Sequence, residues 1–539
     1  MKLPYLLTTL CTAVGVASSP IKITHANDTV NRPLVHLTPH EGWMNDPNGL
    51  WYDAKEELWH VYYQYNPNDT VWGLPLYWGH STSKNLTLWD DVGVAIEPMA
   101  NNSGAYSGCM VIDYSNTTGF FGEDVSPEQR VVAIWTYNTP ESETQYLSYS
   151  LDGGYSFRSY SGNPVLENNS TQFRDPKVMW HEETQKWIMV VAKAQQFKIG
   201  IYTSDDLKEW TPVSDFTRGG YLGYQYECPG LVKLPVEGNT SAGNGSWVLF
   251  VSINPGSPQG GSSTQYFIGD FNGTHFIPTY ENTNSIDSGK DYYALQTFFN
   301  SPDNQTYGIA WASNWQYSAF VPTDPWRSSM SLVRKFVLEE FQANPETKLL
   351  NIKSTPILDY DALGCAHPSN GKNLFITVGN PLQFSLVQGL FDFNISFSVN
   401  GSAFGGHEFA DLSLYLRGGE NKDEYLRIGF GANAATFFID RGHTAVNWVH
   451  ENPFFTDKMS VNNQPLTISN NSTISTYSVR GIVDRNILEL YFNNGSQVST
   501  NTFFFTGGNF IGSIDMAVGK DNVFNVTEFS LKQLSTGSH

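Results

Sequence analysis

Three carboxylates stand out by their surroundings. Asp46 lies in Trp43-Met44-Asn45-Asp46-Pro47-Asn48-Gly49, Asp175 in Arg174-Asp175-Pro176, and Glu227 in Glu227-Cys228-Pro229-Gly230. Each occupies a Pro- or Gly-punctuated turn directly ahead of an apolar, strand-like run. Alone, Asn-Asp-Pro-Asn-Gly reads as a turn and an Arg beside an Asp as surface. Coincidence of all three at similar corners, with Trp43, Trp72, Tyr106 and Trp315 available to stack on a sugar, carries a different reading. Acids that converge on one point can divide the work of breaking a glycosidic bond: one attacks, one gives and takes a proton, and neighbours hold the sugar.

Strands must position these acids. Long helical periodicity is nearly absent, whereas alternating runs of Val, Ile, Tyr, Phe and Trp recur throughout. An all-β chain is expected. A block recurs that opens at a polar corner, passes through aromatic-rich strands and closes in a polar turn before an aromatic residue. The first runs from Asn45-Asp46 to Trp89, the second from Tyr106-Ser107-Gly108 to Phe157, the third from Arg174-Asp175 to Trp210, the fourth from Glu227 to Phe276, and the fifth opens near Asp291. Four-stranded units of roughly 50–70 residues repeated about an axis describe a β-propeller, here with five blades. Corresponding corners of all blades face one axial funnel, so Asp46, Asp175 and Glu227 are expected to meet there, with Asp291 of the fifth block as a weaker candidate.

Near Leu350 the pattern changes. Residues 350–368 read as a linker, and from 369 short strands recur without chemistry-bearing corners, as in a sandwich of antiparallel sheets. The expected organisation is a signal segment at 1–19, a propeller at 20–349, a linker at 350–368 and a β-sandwich at 369–539. The sandwich reads equally as a scaffold or as a carbohydrate-binding module.

Composition narrows the function classes. The 539 residues are 40% hydrophobic and 14% aromatic, enough for a large core in two domains. A net charge of -21 offers no basic patch for nucleic acid or an anionic membrane. Met1-Lys2, an apolar stretch from Leu3 to Val16 and the small residues Ala17-Ser18-Ser19 make a secretory signal, and no later run is long and apolar enough to span a membrane. Seventeen Asn-x-Ser/Thr sequons, among them Asn68, Asn116, Asn169, Asn272, Asn304, Asn394 and Asn525, fit an N-glycosylated protein that is extracellular or held in a cell wall. Beyond Cys11 in the signal, Cys109, Cys228 and Cys365 allow one disulfide at most. No metal site is expected: C-x-x-C is absent, and Pro39 separates His36 from His40. A serine hydrolase is disfavoured because no G-x-S-x-G elbow occurs.

At this level the motifs become specific. Trp43–Gly49, Gln64-Tyr65-Asn66-Pro67, Trp78-Gly79-His80, Tyr106-Ser107-Gly108, Arg174-Asp175-Pro176-Lys177 and Glu227-Cys228-Pro229-Gly230 resemble, in order and spacing, those of glycoside hydrolase family 32, the invertases and inulinases. The likeness continues into the second domain at Asp484–Gly495, with Tyr106 standing where many relatives carry Phe. The resemblance implies that Asp46 is the nucleophile toward a β-linked fructofuranosyl unit, Glu227 the general acid and base, and Asp175 the stabiliser of an oxocarbenium-like transition state. It further implies that Asn45, Gln64, Trp72, Tyr106, Ser107, Arg174 and Trp315 line the fructose pocket, that no cofactor is needed, and that a homodimer through the sandwich domains is one form of assembly. Carboxyls roughly 5–5.5 Å apart would give retention of configuration. The expected substrate is sucrose or a longer fructan. A fructosyltransferase and a fructan-binding lectin are the alternatives, although none of the three acids is missing.

Overall fold

The computed structural model describes residues 31–536 apart from 239–244, 345, 388, 404–408, 419–422, 469–473 and 509. The expected signal segment at 1–19 lies outside the described residues, as do the sequons at Asn27, Asn239, Asn244, Asn470 and Asn471.

Antiparallel sheets account for most of the chain. Five of them follow one another in sequence as the blades of a propeller, with inner strands Gly42–Asp53, Gly104–Ile112, Phe173–His181, Tyr226–Leu234 and Tyr293–Thr297. These strands are buried on both faces, which is why they read as near-continuous apolar runs rather than as alternating ones. Neighbouring blades bury apolar layers between them, such as Ile188, Val190, Ile201, Leu249 and Phe267 between the third and fourth. The ring is closed by a short parallel pairing of Trp326–Arg327 with Gly42-Trp43, so the fifth blade's excursion adds a strand to the first blade.

The second unit is a sandwich of a seven-stranded and a six-stranded sheet around Phe397, Leu414, Ile428, Phe437, Val479, Leu490 and Ile514. The stretch expected as a linker is mostly strand. Thr347–Pro356 forms the outer strand of the fifth blade and Leu363–Leu374 an edge strand of the sandwich, leaving only 357–362 between them. Both lie at sheet edges with solvent on one side, so Lys348, Asn351, Lys353, Asn370 and Lys372 hide the strand pattern.

Propeller and sandwich meet through buried charge. Arg334 of the fifth blade reaches Asp287 at 2.9 Å and, from the sandwich strand Ile487–Phe492, Glu489 at 2.9 Å, all with essentially no exposure. Asp484 accepts the backbone N–H groups of Leu34, Val35 and His36 at 2.8–3.1 Å. The His36 ring sits between Asp484 at 2.9 Å and Glu489 at 3.4 Å. Burial opposes its charge, but the two carboxylates outweigh burial and raise the imidazole to about 9. Asp291 belongs to this interface and not to the funnel. Its carboxylate is held by Arg441 at 2.8 Å, by the Thr502 N–H at 2.8 Å and by the Tyr317 hydroxyl. The expectation of a sugar-binding role for Asp291 is therefore corrected: its buried carboxylate is taken up by Arg441 and Thr502 of the sandwich and by Tyr317, and faces the domain interface instead of the funnel.

Because the folded state raises the His36 pKa from 6.5 to about 9, the stability it contributes is complete below pH 6.5 and is lost as pH rises through about 9. His36→Gln should flatten the fall in melting temperature between those pH values. Arg441→Ala, which strands Asp291 without its cation, should cost about 3–5 kcal/mol in denaturant unfolding.

Candidate active site

Each inner strand carries a β-bulge at its axial end. In the first, third, fourth and fifth blades two residues oppose one, at Asn45-Asp46, Asp175-Pro176, Cys228-Pro229 and Ala294-Leu295, and the second blade bulges at Ser107. Asp175, Cys228 and Ala294 take φ of 65°, 45° and 56°, a region that costs a non-glycine residue on the order of 1–3 kcal/mol and persists only where surroundings enforce it. A bulge re-aims the side chains around it, and here five of them aim at one axis.

The residues just before the bulges of the third, fourth and fifth blades are Arg174, Glu227 and Tyr293, and they form a hydrogen-bonded chain. Arg174 donates to Glu227 Oε1 from Nη2 at 2.9 Å and from Nε at 3.2 Å, and the Tyr293 hydroxyl donates to Oε2. Gln225 Nε2 adds a bond to Oε1 at 3.0 Å. On its other side Arg174 Nη1 meets buried Glu143 at 3.1 Å, so one guanidinium serves two carboxylates.

Within the bulges, Cys228 sits between the two aspartates. Its Sγ lies 3.4 Å from Asp46 Oδ2 and 3.6 Å from Asp175 Oδ2, while its N–H donates to Asp175 Oδ2 at 2.9 Å. Ser107 Oγ donates to Asp46 Oδ2 at 3.1 Å. The other oxygen of Asp46, Oδ1, is buried and has no hydrogen-bond partner among the described residues. Trp43 Nε1 donates to Asn45 Oδ1 at 2.8 Å, and the Trp43 ring packs against Trp311 and Trp315, both 5.7 Å away, to make an apolar wall. Gln64 Nε2 is fixed on the Ala105 carbonyl at 2.9 Å, and Trp72, 40% exposed, meets the Tyr106 ring edge-on at 6.3 Å at the rim. Asp46, Asp175, Glu227, Asn45, Gln64, Trp72, Tyr106, Ser107, Arg174 and Trp315 thus gather around one axis, and only Asp291 stands elsewhere.

Electrostatics follow from this crowding. Burial, reinforced by Glu227 and opposed by Asn45, Cys228 and Ser107, lifts Asp46 to about 6. Burial also lifts Asp175 to about 8, with Arg174 pulling down and Glu227 and Asp46 pushing up. Burial and the adjacent carboxylates hold the Cys228 thiol well above its usual range, so it remains a donor.

Residues 36–350 match the family model "Glycosyl hydrolases family 32 N-terminal domain" and residues 367–529 match "Glycosyl hydrolases family 32 C terminal". The chain belongs to glycosyl hydrolase family 32. It is 56% identical over 525 residues to Invertase 2 of Saccharomyces cerevisiae, covering 96% of this chain and 97% of that protein. It is 47% identical to the extracellular exo-inulinase of Meyerozyma guilliermondii, covering 94% and 95% of the two chains. Among solved structures, fructofuranosidase of Schwanniomyces occidentalis complexed with fructose superposes with a TM-score of 0.90 at 44% identity, covering 95% of this chain and 100% of that one.

For this family 32 hydrolase, sequence reasoning missed Glu143, Tyr293 and the bridging thiol of Cys228. Tyr293 was within reach, since the fifth corner was placed at Asp291, two residues early; equivalence with Arg174 and Glu227 singles out the residue before the bulge. Glu143 had no such signal, because it begins a third strand and only the fold brings it to Arg174.

Two outcomes are expected. Ser107→Ala removes a hydrogen bond that favours ionised Asp46, so the acid limb of kcat/KM should move to higher pH, by up to about one unit. Asp175 is raised from 3.8 to about 8, so its contribution to folding is full below pH 3.8 and is lost as pH rises through about 8. Asp175→Asn should therefore melt higher than wild type by a margin that grows over that range, while activity collapses.

Proposed function

We propose that Asp46 is the nucleophile, Glu227 the acid and base, and Asp175 the transition-state stabiliser of a retaining β-fructofuranosidase. The chain is a glycoside hydrolase acting on terminal β-fructofuranosyl bonds, as in sucrose and fructans. The observation that carries the residue assignment is the asymmetry of Asp46: Oδ2 is anchored by Ser107 and Cys228, and Oδ1 has no partner among the described residues at the axis where the other two acids converge.

In this mechanism Oδ1 of ionised Asp46 attacks the anomeric carbon as protonated Glu227 gives its proton to the departing glycosidic oxygen. A fructosyl ester on Asp46 results. Glu227, now ionised and held by Arg174, takes a proton from water, and the hydroxide attacks the same carbon to release fructose and free Asp46. Asp175, next to Arg174 and Cys228, binds fructose hydroxyls and favours the positive charge that develops on the ring. Asn45, Gln64, Ser107 and Arg174 supply polar contacts; Trp72, Tyr106 and Trp315 supply faces for the sugar. Two inversions at one carbon leave its configuration unchanged.

Secretion is part of the same reading: it is supported by the signal-like residues 1–19, the sequons and the extracellular exo-inulinase relative. No helix among the described residues is long and apolar enough to cross a membrane. Self-association through the sandwich is supported by exposed Phe375, Val387 and Phe409.

Asp46→Ala, folded as judged by its melting temperature, should release no fructose from sucrose, and Glu227→Gln should lower kcat by about 10²–10⁴-fold. NMR of the first-formed fructose should show the β-anomer. Near-normal turnover by the Asp46 variant, or an inverted first product, would remove the nucleophile from the scheme.

A further inference from the structure

The segment 218–225 links the outer strand of the third blade to the inner strand of the fourth, and its contacts trace a radial path over the top edge of the fourth blade. Gly219 lies against Phe216 and Phe267 at the periphery. Tyr221 exchanges backbone hydrogen bonds with the Gln265 side chain on the third strand, at 2.8 and 2.6 Å. Further in, the Tyr224 N–H donates to the Pro255 carbonyl, just past the second strand, at 2.7 Å. The path ends at Gln225, whose amide donates to Glu227.

Along this path the side chains do something unusual for a rigid segment. Tyr221 is 42% exposed, Leu222 37% and Tyr224 48%. Gly220 and Gly223 have φ of 64° and 58°, and a Cβ on Gly223 would approach the Pro255 carbonyl oxygen to 2.7 Å. The backbone is thus pinned to the blade while the aromatic side chains point to solvent. The result is a ridge of fixed backbone and exposed rings that leads outward from Glu227.

The sequons favour the same side. At this end of the propeller they occur at Asn68, Asn101, Asn168 and Asn169, on loops of the first and second blades and the loop leading to the third. The connections over the third, fourth and fifth blades at 194–197, 218–225, 254–262, 286–292 and 312–330 contain none. Glycans would crowd one half of the rim and leave the fourth-blade ridge clear.

We propose that Tyr224 and, farther out, Tyr221 are leaving-group subsites that stack on the second and third sugar units beyond the cleaved bond of a short β-fructan, and so set the preference for longer substrates. This rests on the reading of the chain as a β-fructofuranosidase. The occupant is the sugar chain itself, because the ridge is continuous with Glu227 through Gln225 and offers flat, half-exposed amphipathic rings suited to sugar faces.

The test is kcat/KM on sucrose, a β-fructan trisaccharide and a β-fructan tetrasaccharide for wild type, Tyr224→Ala, Tyr224→Phe and Tyr221→Ala. Tyr224→Ala should leave sucrose within about twofold and lower both oligosaccharides by about 3–10-fold, while Tyr221→Ala should lower only the tetrasaccharide, by a similar factor. Tyr224→Phe, which keeps the ring, should behave as wild type. An equal loss on all three substrates, or no loss on any, would overturn the subsite proposal while leaving the enzymatic reading intact. A wild-type chain that releases fructose from none of them would overturn both.

Discussion

Negative charge confined at low dielectric is the constraint around which this molecule is arranged. Asp46, Glu143, Asp175 and Glu227 converge at the axial end of the propeller, and among the described residues Arg174 is the guanidinium that touches the group, bonding Glu143 on one side and Glu227 on the other. The surplus is absorbed by protons: burial lifts both aspartates above the ordinary carboxylate range, Asp175 further than Asp46. Environment alone thereby sorts two identical side chains, one more readily ionised and one more readily protonated.

Five bulges make that crowding possible. A regular strand would send alternate side chains into the blades on either side, whereas an extra residue at the axial end turns one more group toward the axis. Left-handed backbone at Asp175, Cys228 and Ala294 is costly, and the packing of five sheets bears that cost. Trp43, Trp311 and Trp315 then exclude water from one side of the acids, which strengthens every charge interaction among them.

The blades, the corners and the three acids were legible because a propeller repeats its punctuation: Pro and Gly must mark the same turn in successive blocks. What was illegible has a common cause. Glu143, the Cys228 bridge and the role of Asp291 depend on contacts between segments far apart in the chain, and no local pattern encodes them. Asp291 shared the block-opening position with residues that do reach the axis, yet the strand Gln497–Thr502 of the sandwich claims its carboxylate first. The strand at Thr347–Pro356 was hidden for the opposite reason, since an edge strand wears polar residues that look like loop.

The contacts of the N-terminal segment bear on how the chain is made. Leu34, Val35 and His36 complete their hydrogen bonds only with Asp484, about 450 residues later, and Gly42-Trp43 gain their parallel neighbour only from Trp326–Arg327. During synthesis the first inner strand, which carries Asp46, must therefore wait for the fifth blade before its last neighbour exists, and the segment just ahead of it must wait for the sandwich. A nascent chain stopped short of the sandwich holds the pair that closes the ring but not Asp484, so the ring can be sealed once the fifth blade has emerged, whereas the segment ahead of it is fastened only when the sandwich follows.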